Sequence, residues 1–419
     1  MRYLIAVAAL CLAGSAMAET WTVDDDGPAD FDNIQAAVDA ASDGDEILVE
    51  AGTYTGTGDQ VIDMLGKSIT LKSTSGPDTT VIDGQSIRRG IICQSGETTL
   101  TVIQGFSVRA CHASWYDWNG NGNADYWEYF GGGIWNRGGS GPTVIACRFV
   151  ANIAEYGGAV CNFDEFSLAN EPALIQCTFE GNSAGQGVGG AVYSYASSPL
   201  MQSCDFIGNS AYWGGGVLNT AGSHAVLAAC TFTNNNATSD GGAIYNDGSS
   251  ASCTDCSFTN NAAHEGGAVF NADPSSSSNS PLFIGCNFDS NSAIDEGGGM
   301  HNFSVSPQID SCTFTNNAAS SGGGILSWNA SVPVISNTSL CGNAPTNITG
   351  PWSDQGGNEL SETCGDCPDM TGDGLVGTDE ILGILSSWGT DDPIADVDGS
   401  GIVDTNDILL VLSAWGPCP

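Results

Sequence analysis

Two stretches near the end of the chain carry the most specific chemistry in the sequence. Asp369-Met-Thr-Gly-Asp-Gly-Leu-Val-Gly-Thr-Asp-Glu380 runs into Ile-Leu-Gly-Ile-Leu-Ser-Ser-Trp388-Gly. Asp396-Val-Asp-Gly-Ser-Gly-Ile-Val-Asp-Thr-Asn-Asp407 runs into Ile-Leu-Leu-Val-Leu-Ser-Ala-Trp415-Gly, a repeat distance of 27 residues. Each is a twelve-residue, oxygen-rich loop with Gly at position six, leading into an apolar helix. Calcium takes six to eight oxygen ligands, and loop positions 1, 3, 5, 9 and 12 with the carbonyl of position 7 can converge on one ion. The first loop offers Asp369, Thr371, Asp373, the Leu375 carbonyl and Glu380, but has Gly377 at position nine. The second offers Asp396, Asp398, Ser400, the Ile402 carbonyl, Asp404 and Asp407, and is expected to bind more tightly. A third stretch places Asp117, Asn119, Asn121, Gly122, Asn123, Asp125 and Glu128 in the same register. Ca2+ is therefore the expected cofactor at three places.

The charge balance bounds the partners. The chain carries 8 basic and 48 acidic residues, a formal net charge of −40. This excludes nucleic acid, because phosphate binding depends on Lys and Arg, and it suits a protein that binds cations outside the cell. No Lys or Arg follows Arg148. A lyase base of the Arg or Lys type, helped by calcium, is thus confined to the early part of the chain, with Arg109 or Arg137 near the Asp117 loop as the candidates. A hydrolase needs two facing carboxylates. Asp164 with Glu165, or the column Asp240, Glu265 and Glu296, could supply them, although the column reads first as solvated turn residues. The histidines, His112, His224, His264 and His301, show no ligand spacing and read as ordinary surface or turn residues.

The elements that must position these groups repeat. Cys-x-Phe-x-x-Asn-x-Ala occurs from Cys147-Phe149-Asn152 to Cys312-Phe314-Asn317, with a degenerate copy at Thr338-Leu340-Asn343. Gly-Gly-[Ala/Gly]-[Val/Ile]-x-Asn alternates with it, as at Gly157 to Asn162 and Gly241 to Asn246. Successive cysteines of the first phrase are 26 to 30 residues apart. One repeat is one coil of a solenoid, which can bury its apolar face only against stacked copies. Cys and Phe two apart share a strand face; the Asn and Gly residues are expected to take φ > 0 at turns. The cysteine column reads as small buried hydrophobes. The residue at the position after the Val or Ile of each Gly-Gly phrase is Trp135, Tyr193, Tyr245, Phe270 or His301 in five of eight coils. Facing solvent it would form a ladder of rings able to stack on sugars; facing inward it would be core.

These phrases resemble the pectate-lyase-like right-handed β-helix superfamily, and the Phe-x-x-Asn and Gly-Gly-Ala-Ile pair resembles the repeat of the polymorphic outer-membrane proteins. The resemblance implies an all-β, right-handed parallel β-helix over roughly residues 21 to 362. Phe31, Ile34, Ala37, Val38 and Ala41 fall at helical spacing, and in that family such a helix caps the stack. The tandem loops resemble a type I dockerin. That resemblance implies a small α-helical calcium domain that docks on a cohesin-like scaffold or cell-surface component, with loop positions ten and eleven, here Thr378, Asp379, Thr405 and Asn406, touching the partner. The flanking Cys367 and Cys418 then suggest a disulfide clasp. Position three of the first loop and position five of the second depart from the usual Asp or Asn.

Arg2, the apolar run Tyr3 to Ala13 and Ala16-Met17-Ala18 read as a signal peptide cut after Ala18. Leu10 before Cys11 argues against a lipid anchor. No later run reaches the ~20 apolar residues of a membrane span. Fifteen cysteines then remain in an oxidising compartment, an odd number that leaves at least one thiol free or paired with another molecule. The expected organisation is a signal peptide at 1–18, a β-helix at 19–363 with an insertion at about 112–130, and a dockerin-like domain at 364–419. The expected location is extracellular, secreted or on the surface of a bacterium. The function expected is a non-catalytic binding or adhesive rod docked through its calcium module; the alternative is a polysaccharide lyase or glycoside hydrolase of the same fold.

Overall fold

A computed structural model describes residues 18–113, 126–164, 171–273, 279–362, 364, 370–371, 375–397 and 400–417. The chain divides into two compact units, residues 1–360 and 361–419. In the first, short strands assemble into three long parallel sheets. Sheet I has 13 strands from Thr20–Val23 to Ser353–Asp354, sheet II has 12 from Gly52–Tyr54 to Glu359–Ser361, and sheet III has 11 from Gln60–Asp63 to Ile348–Thr349. One coil contributes one strand to each. Val226–Ala228, Thr231–Thr233 and Ile244–Asp247 pair with Ser252–Thr254, Ser257–Thr259 and Val269–Ala272 of the next coil. This is the parallel β-helix that the repeat implied.

In-register pairing sets each side chain on its counterpart one coil away. The seven phenylalanines from Phe149 to Phe314 stack with centroids 4.3 to 5.0 Å apart and planes within 11° of parallel. That spacing is the strand pitch rather than a choice of the rings. The cysteine column beside it, Cys147 to Cys312, is buried and reduced, as are four further described cysteines, Cys93, Cys111, Cys161 and Cys253. Thiols such as that of Cys230 donate to the carbonyl of the coil before, here Met201 O at 3.4 Å. Burial pushes the Cys111 thiol up to about 12. Cys341 and Cys364 are disulfide-bonded; Cys367 and Cys418 lie outside the described residues.

The asparagines do something other than turn the chain. In the first phrase each is fully buried, from Asn152 to Asn317. The amide of Asn209 shows the pattern: its Nδ2 donates to Asn235 Oδ1 at 2.9 Å and to Phe179 O at 2.9 Å, while its backbone N–H reaches the same Asn235 Oδ1 at 3.0 Å. The left-handed position falls instead on the residue before, such as Ala151 (φ 51) or Asn234 (φ 58). The expectation that these asparagines take φ > 0 is thus corrected. Their amides are committed to a ladder that satisfies backbone groups no water can reach. The glycine expectation holds at the start of the second phrase. Gly241 has φ 67, and a Cβ on Gly242 would lie 2.1 Å from Gly267 O of the next coil.

Helix α1, Ile34–Ala40, closes the first coil, burying Ile34, Ala37 and Val38 against the core. Asn33 caps it by accepting from the Ala36 N–H at 2.9 Å. At its other end Lys67 Nζ donates to the Val38 and Asp39 carbonyls at 2.6 and 2.9 Å, the charge and the donors that a helix C-terminus lacks. In the second unit, helices α2 (Thr378–Ser386) and α3 (Thr405–Ser413) share a core of Val376, Ile384, Ala395, Val403 and Val411. Leu375–Val376 pairs antiparallel with Gly416–Pro417.

Two outcomes test this packing. Asn235→Ala leaves the buried Asn209 backbone N–H without its acceptor and takes a donor from the Phe206 carbonyl, and is expected to cost roughly 2–3 kcal/mol, whereas Asn234→Gly, at a left-handed position, stays within about 0.5 kcal/mol; chemical denaturation of the two variants measures the difference, and equal effects would refute the ladder. The eleven buried free thiols are expected to stay silent towards a thiol-reactive dye in the native protein and to react together on denaturation.

Candidate functional site

Sheet III has two faces of opposite character. Ile134, Val160 and Val192, and in later coils Val217, Ile244, Val269 and Met300, join the main core; two residues on in those later strands, buried asparagines form a second amide ladder from Asn219 through Asn246 and Asn271 to Asn302 at 2.8 to 2.9 Å. The residues between them form a row on the other face: Trp135 and Tyr193 belong to a separate apolar cluster. Neither sequence alternative describes this row. It lies outside the coil, yet Trp135, Tyr193, Phe270 and His301 are only 2 to 6 % exposed. The cover comes from residues just before each Gly-Gly, which follow one another in register. In the early coils they are apolar: Phe130, Tyr156, Val188 and Trp213. Rings touch there at 4.8 Å (Phe130–Tyr156) and 5.3 Å (Tyr156–Tyr193).

The same column turns acidic in the later coils as Asp240, Glu265 and Glu296. Burial raises the Asp240 carboxyl above its usual range. Glu265 is raised by burial first and then by the charges of Asp240 and Glu296. Under them sits His301, against the edge of Phe270 at 4.7 Å and 75°. Its Nδ1 is 3.3 Å from Glu265 Oε2 and its Nε2 3.7 Å from Glu296 Oε2. Neither nitrogen makes a hydrogen bond, and burial pulls the imidazole down to about 4, so it is neutral near pH 7 and these contacts are not ion pairs. His264 Nε2 lies 3.4 Å from Asp295 Oδ2 at the surface.

The reading of His301 as an ordinary surface or turn residue is therefore corrected, as is that of Asp240, Glu265 and Glu296 as freely solvated. The signal was present: the acids recur at coil spacing, and His301 follows Glu296 by the five residues that separate Glu265 from Phe270. What the sequence did not display is that the φ > 0 glycine between them folds both positions onto one face.

The cationic candidates do not converge. Arg109 lies on a sheet II strand and pairs with Asp83 at 3.1 Å, whereas Arg137, on sheet III, stacks over Trp135 at 5.0 Å. Arg89, which sequence reasoning passed over, is buried over the same ring, 4.7 Å from its centroid, donating to Phe130 O and Gly131 O. Burial lowers its guanidinium to about 10. Asp164 is buried and its N–H bonds Tyr195 O; Glu165 lies outside the described residues. So do Asp117, Asn119, Asn121, Asn123 and Asp125, while Glu128 belongs to the single turn Tyr126–Tyr129.

In the second unit, Asp369, Asp373 and Asp398 lie outside the described residues. The remaining ligand candidates draw together within each loop. Glu380, 1 % exposed, accepts from the Gly377 N–H at 2.6 Å and the Thr371 hydroxyl at 2.9 Å, joining positions 3, 9 and 12. The Gly377 bond is the first cause of its lowered pKa. In the second loop Asp396 accepts from Ser400 and Gly401 N–H groups at 3.0 and 2.7 Å, Ser400 Oγ donates to the Ile402 carbonyl at 3.1 Å, and buried Asp407 accepts from Asp404 N–H at 2.7 Å. Leu375 begins the short strand between loop and helix. The donors are all oxygens, a set that fits calcium. Thr378, Asp379, Thr405 and Asn406 are exposed in the first turns of α2 and α3.

Comparison with known proteins bears on the fold. The family described as "Right handed beta helix region" matches residues 131–281, and the Chlamydia polymorphic membrane protein repeat matches 311–327. No curated protein matches the chain. Among solved structures, the chain is similar to pectin methylesterase from carrot at 14 % identity and TM-score 0.30, with 84 % of this chain and 90 % of that one covered. It is similar to the Azotobacter vinelandii mannuronan C-5 epimerase AlgE6 A-module at 14 %, TM-score 0.35, covering 79 % and 94 %. A third is the catalytic unit of a GH87 α-1,3-glucanase from Streptomyces thermodiastaticus, at 13 % and TM-score 0.37, covering 78 % and 66 %. Likenesses this distant carry nothing about activity. Residues 131–281 are thus matched as a right-handed β-helix, and the parallel stack of the first unit is that fold.

Proposed function

We propose that the chain is an extracellular, non-catalytic β-helix rod, secreted or displayed on a bacterial surface, that docks on a cohesin-like partner through its two calcium loops. The observation that carries this reading is a duplicated apolar face on the second unit. Leu382, Leu385 and Trp388 are 61, 51 and 47 % exposed; their counterparts 27 residues on, Leu409, Leu412 and Trp415, are 57, 49 and 51 % exposed. Large apolar side chains left in water on both helices of so small a unit mark an interaction surface. They continue the helical face begun by Thr378 and Thr405 at i, i+4 and i+7, so the polar partner positions and the apolar ones form one strip on each helix. Calcium shapes this strip by fixing loop positions 1 to 12, which set where each helix starts.

For the rod, catalysis would need an acid and a base held apart in environment. The candidate carboxylates Asp240, Glu265 and Glu296 instead share one column, and the candidate cations are engaged elsewhere, Arg109 with Asp83 and Arg137 over Trp135. The face of sheet III gives the rod a binding surface: Trp213, 38 % exposed, and half-buried Tyr245, with centroids 6.1 Å apart, can take the apolar face of a sugar. Among the described residues no helix is long and apolar enough to cross a membrane.

Because the strip is duplicated, single substitutions are expected to be tolerated and paired ones not. Retention of the full chain on immobilised cohesin modules should require calcium. Leu382→Asp or Leu409→Asp alone should weaken it by at most about tenfold, and both together should abolish it, with calcium uptake by calorimetry unchanged. Retention that persists in EDTA, or that survives the double substitution, would rule the docking surface out.

A further inference from the structure

Away from the calcium loops, one cluster has the composition of a different kind of metal site. Glu265 and Glu296 stand in register on adjacent coils. His301 lies beneath them, 2 % exposed, with its ring nitrogens 3.3 and 3.7 Å from carboxylate oxygens and neither hydrogen-bonded. One oxygen from each glutamate and one ring nitrogen all fall within 4.8 Å of one another. Two like charges one coil apart repel, and a buried imidazole with neither nitrogen bonded forfeits its hydration without return. A divalent cation between the three groups relieves both costs.

We propose that Glu265, Glu296 and His301 form a binding site for a divalent transition-metal ion of the zinc class. The imidazole argues against calcium, which takes six or more oxygens, and for a borderline ion that accepts nitrogen with carboxylate oxygen. Metal arms of about 2.0–2.2 Å put tetrahedral ligand atoms roughly 3.3–3.6 Å apart; the Nδ1–Glu265 contact of 3.3 Å fits this as it stands, and Glu296, whose contact is with the other ring nitrogen, has to swing in from within 4.8 Å. The imidazole is fixed by Phe270 and by burial, while the glutamates are 32 and 35 % exposed and can rotate onto the ion. A neutral imidazole is the form that binds metal. Three protein ligands leave a fourth position for water or for a group on a bound molecule, beside the Asp240 carboxylate one coil earlier.

The test uses the full chain with calcium in excess, so that the oxygen-only loops are filled. Titration with Co2+, read by its visible d–d absorption, is expected to show uptake of one ion with no thiolate charge-transfer band, reversed by Zn2+. Glu265→Gln and Glu296→Gln should each weaken binding at least ~10-fold, and His301→Phe, which suits the ring stack, should abolish it. No Co2+ uptake by the wild type, a thiolate spectrum, or glutamine variants that bind like the wild type would overturn the assignment. Should His301→Phe not fold, the two glutamine variants, at partly exposed positions, decide the matter.

Discussion

Parallel, in-register pairing at one strand pitch, about 4.8 Å, is the constraint on which the molecule depends. It makes every residue the neighbour of its own counterpart, so a position in the coil tolerates only what packs on itself. Phenylalanine does, at centroid distances of 4.3 to 5.0 Å. Asparagine does, because its amide donates to the copy ahead and accepts from the copy behind. Cysteine does, as a small thiol that finds a carbonyl. Carboxylates do not, and their column therefore lies on the outer face of sheet III, where Glu265 is raised by Asp240 and Glu296 and where His301 stands between acids of adjacent coils.

How much of this was legible follows from the same constraint. A stack of self-packing columns writes its period into the sequence, and so the coil, its phrases and the capping helix could be read from spacing alone. Period does not say which way a side chain points when strands are three or four residues long and separated by corners. The asparagines were therefore read as turn residues, when Asn209 and its equivalents are buried and the turn falls one residue earlier. The row from Trp135 to His301 was left between solvent and core, and it proves to be neither. The cluster of Glu265, Glu296 and His301 joins two rows that are five residues apart in sequence and meet only because the intervening glycines adopt φ > 0. The proposed calcium loops rest on a local property, ligand spacing within twelve residues, and in the first of them Thr371 and Gly377 both hydrogen-bond Glu380.

The two units handle a net charge of −40 by different means. The coils place acids outside and exclude charge from the interior columns, so their stability needs no counter-ion. In the second unit, where calcium is proposed to bind, the described loop residues bring oxygen groups together around Glu380 and around Asp396 and Asp407. A small core of five buried residues and a strip of exposed leucine and tryptophan support the proposed calcium-dependent docking of this unit.

Hydrogen exchange of the full chain, followed by mass spectrometry with calcium and again in EDTA, tests most directly the claim that interior columns alone hold the stack. The account predicts that amides of the asparagine ladder between Asn152 and Asn317 exchange equally slowly in both conditions, while protection over residues 375–417 is lost without calcium. Loss of protection along the ladder in EDTA would contradict it, and would mean that bound ions, rather than like packed on like, keep the coils together.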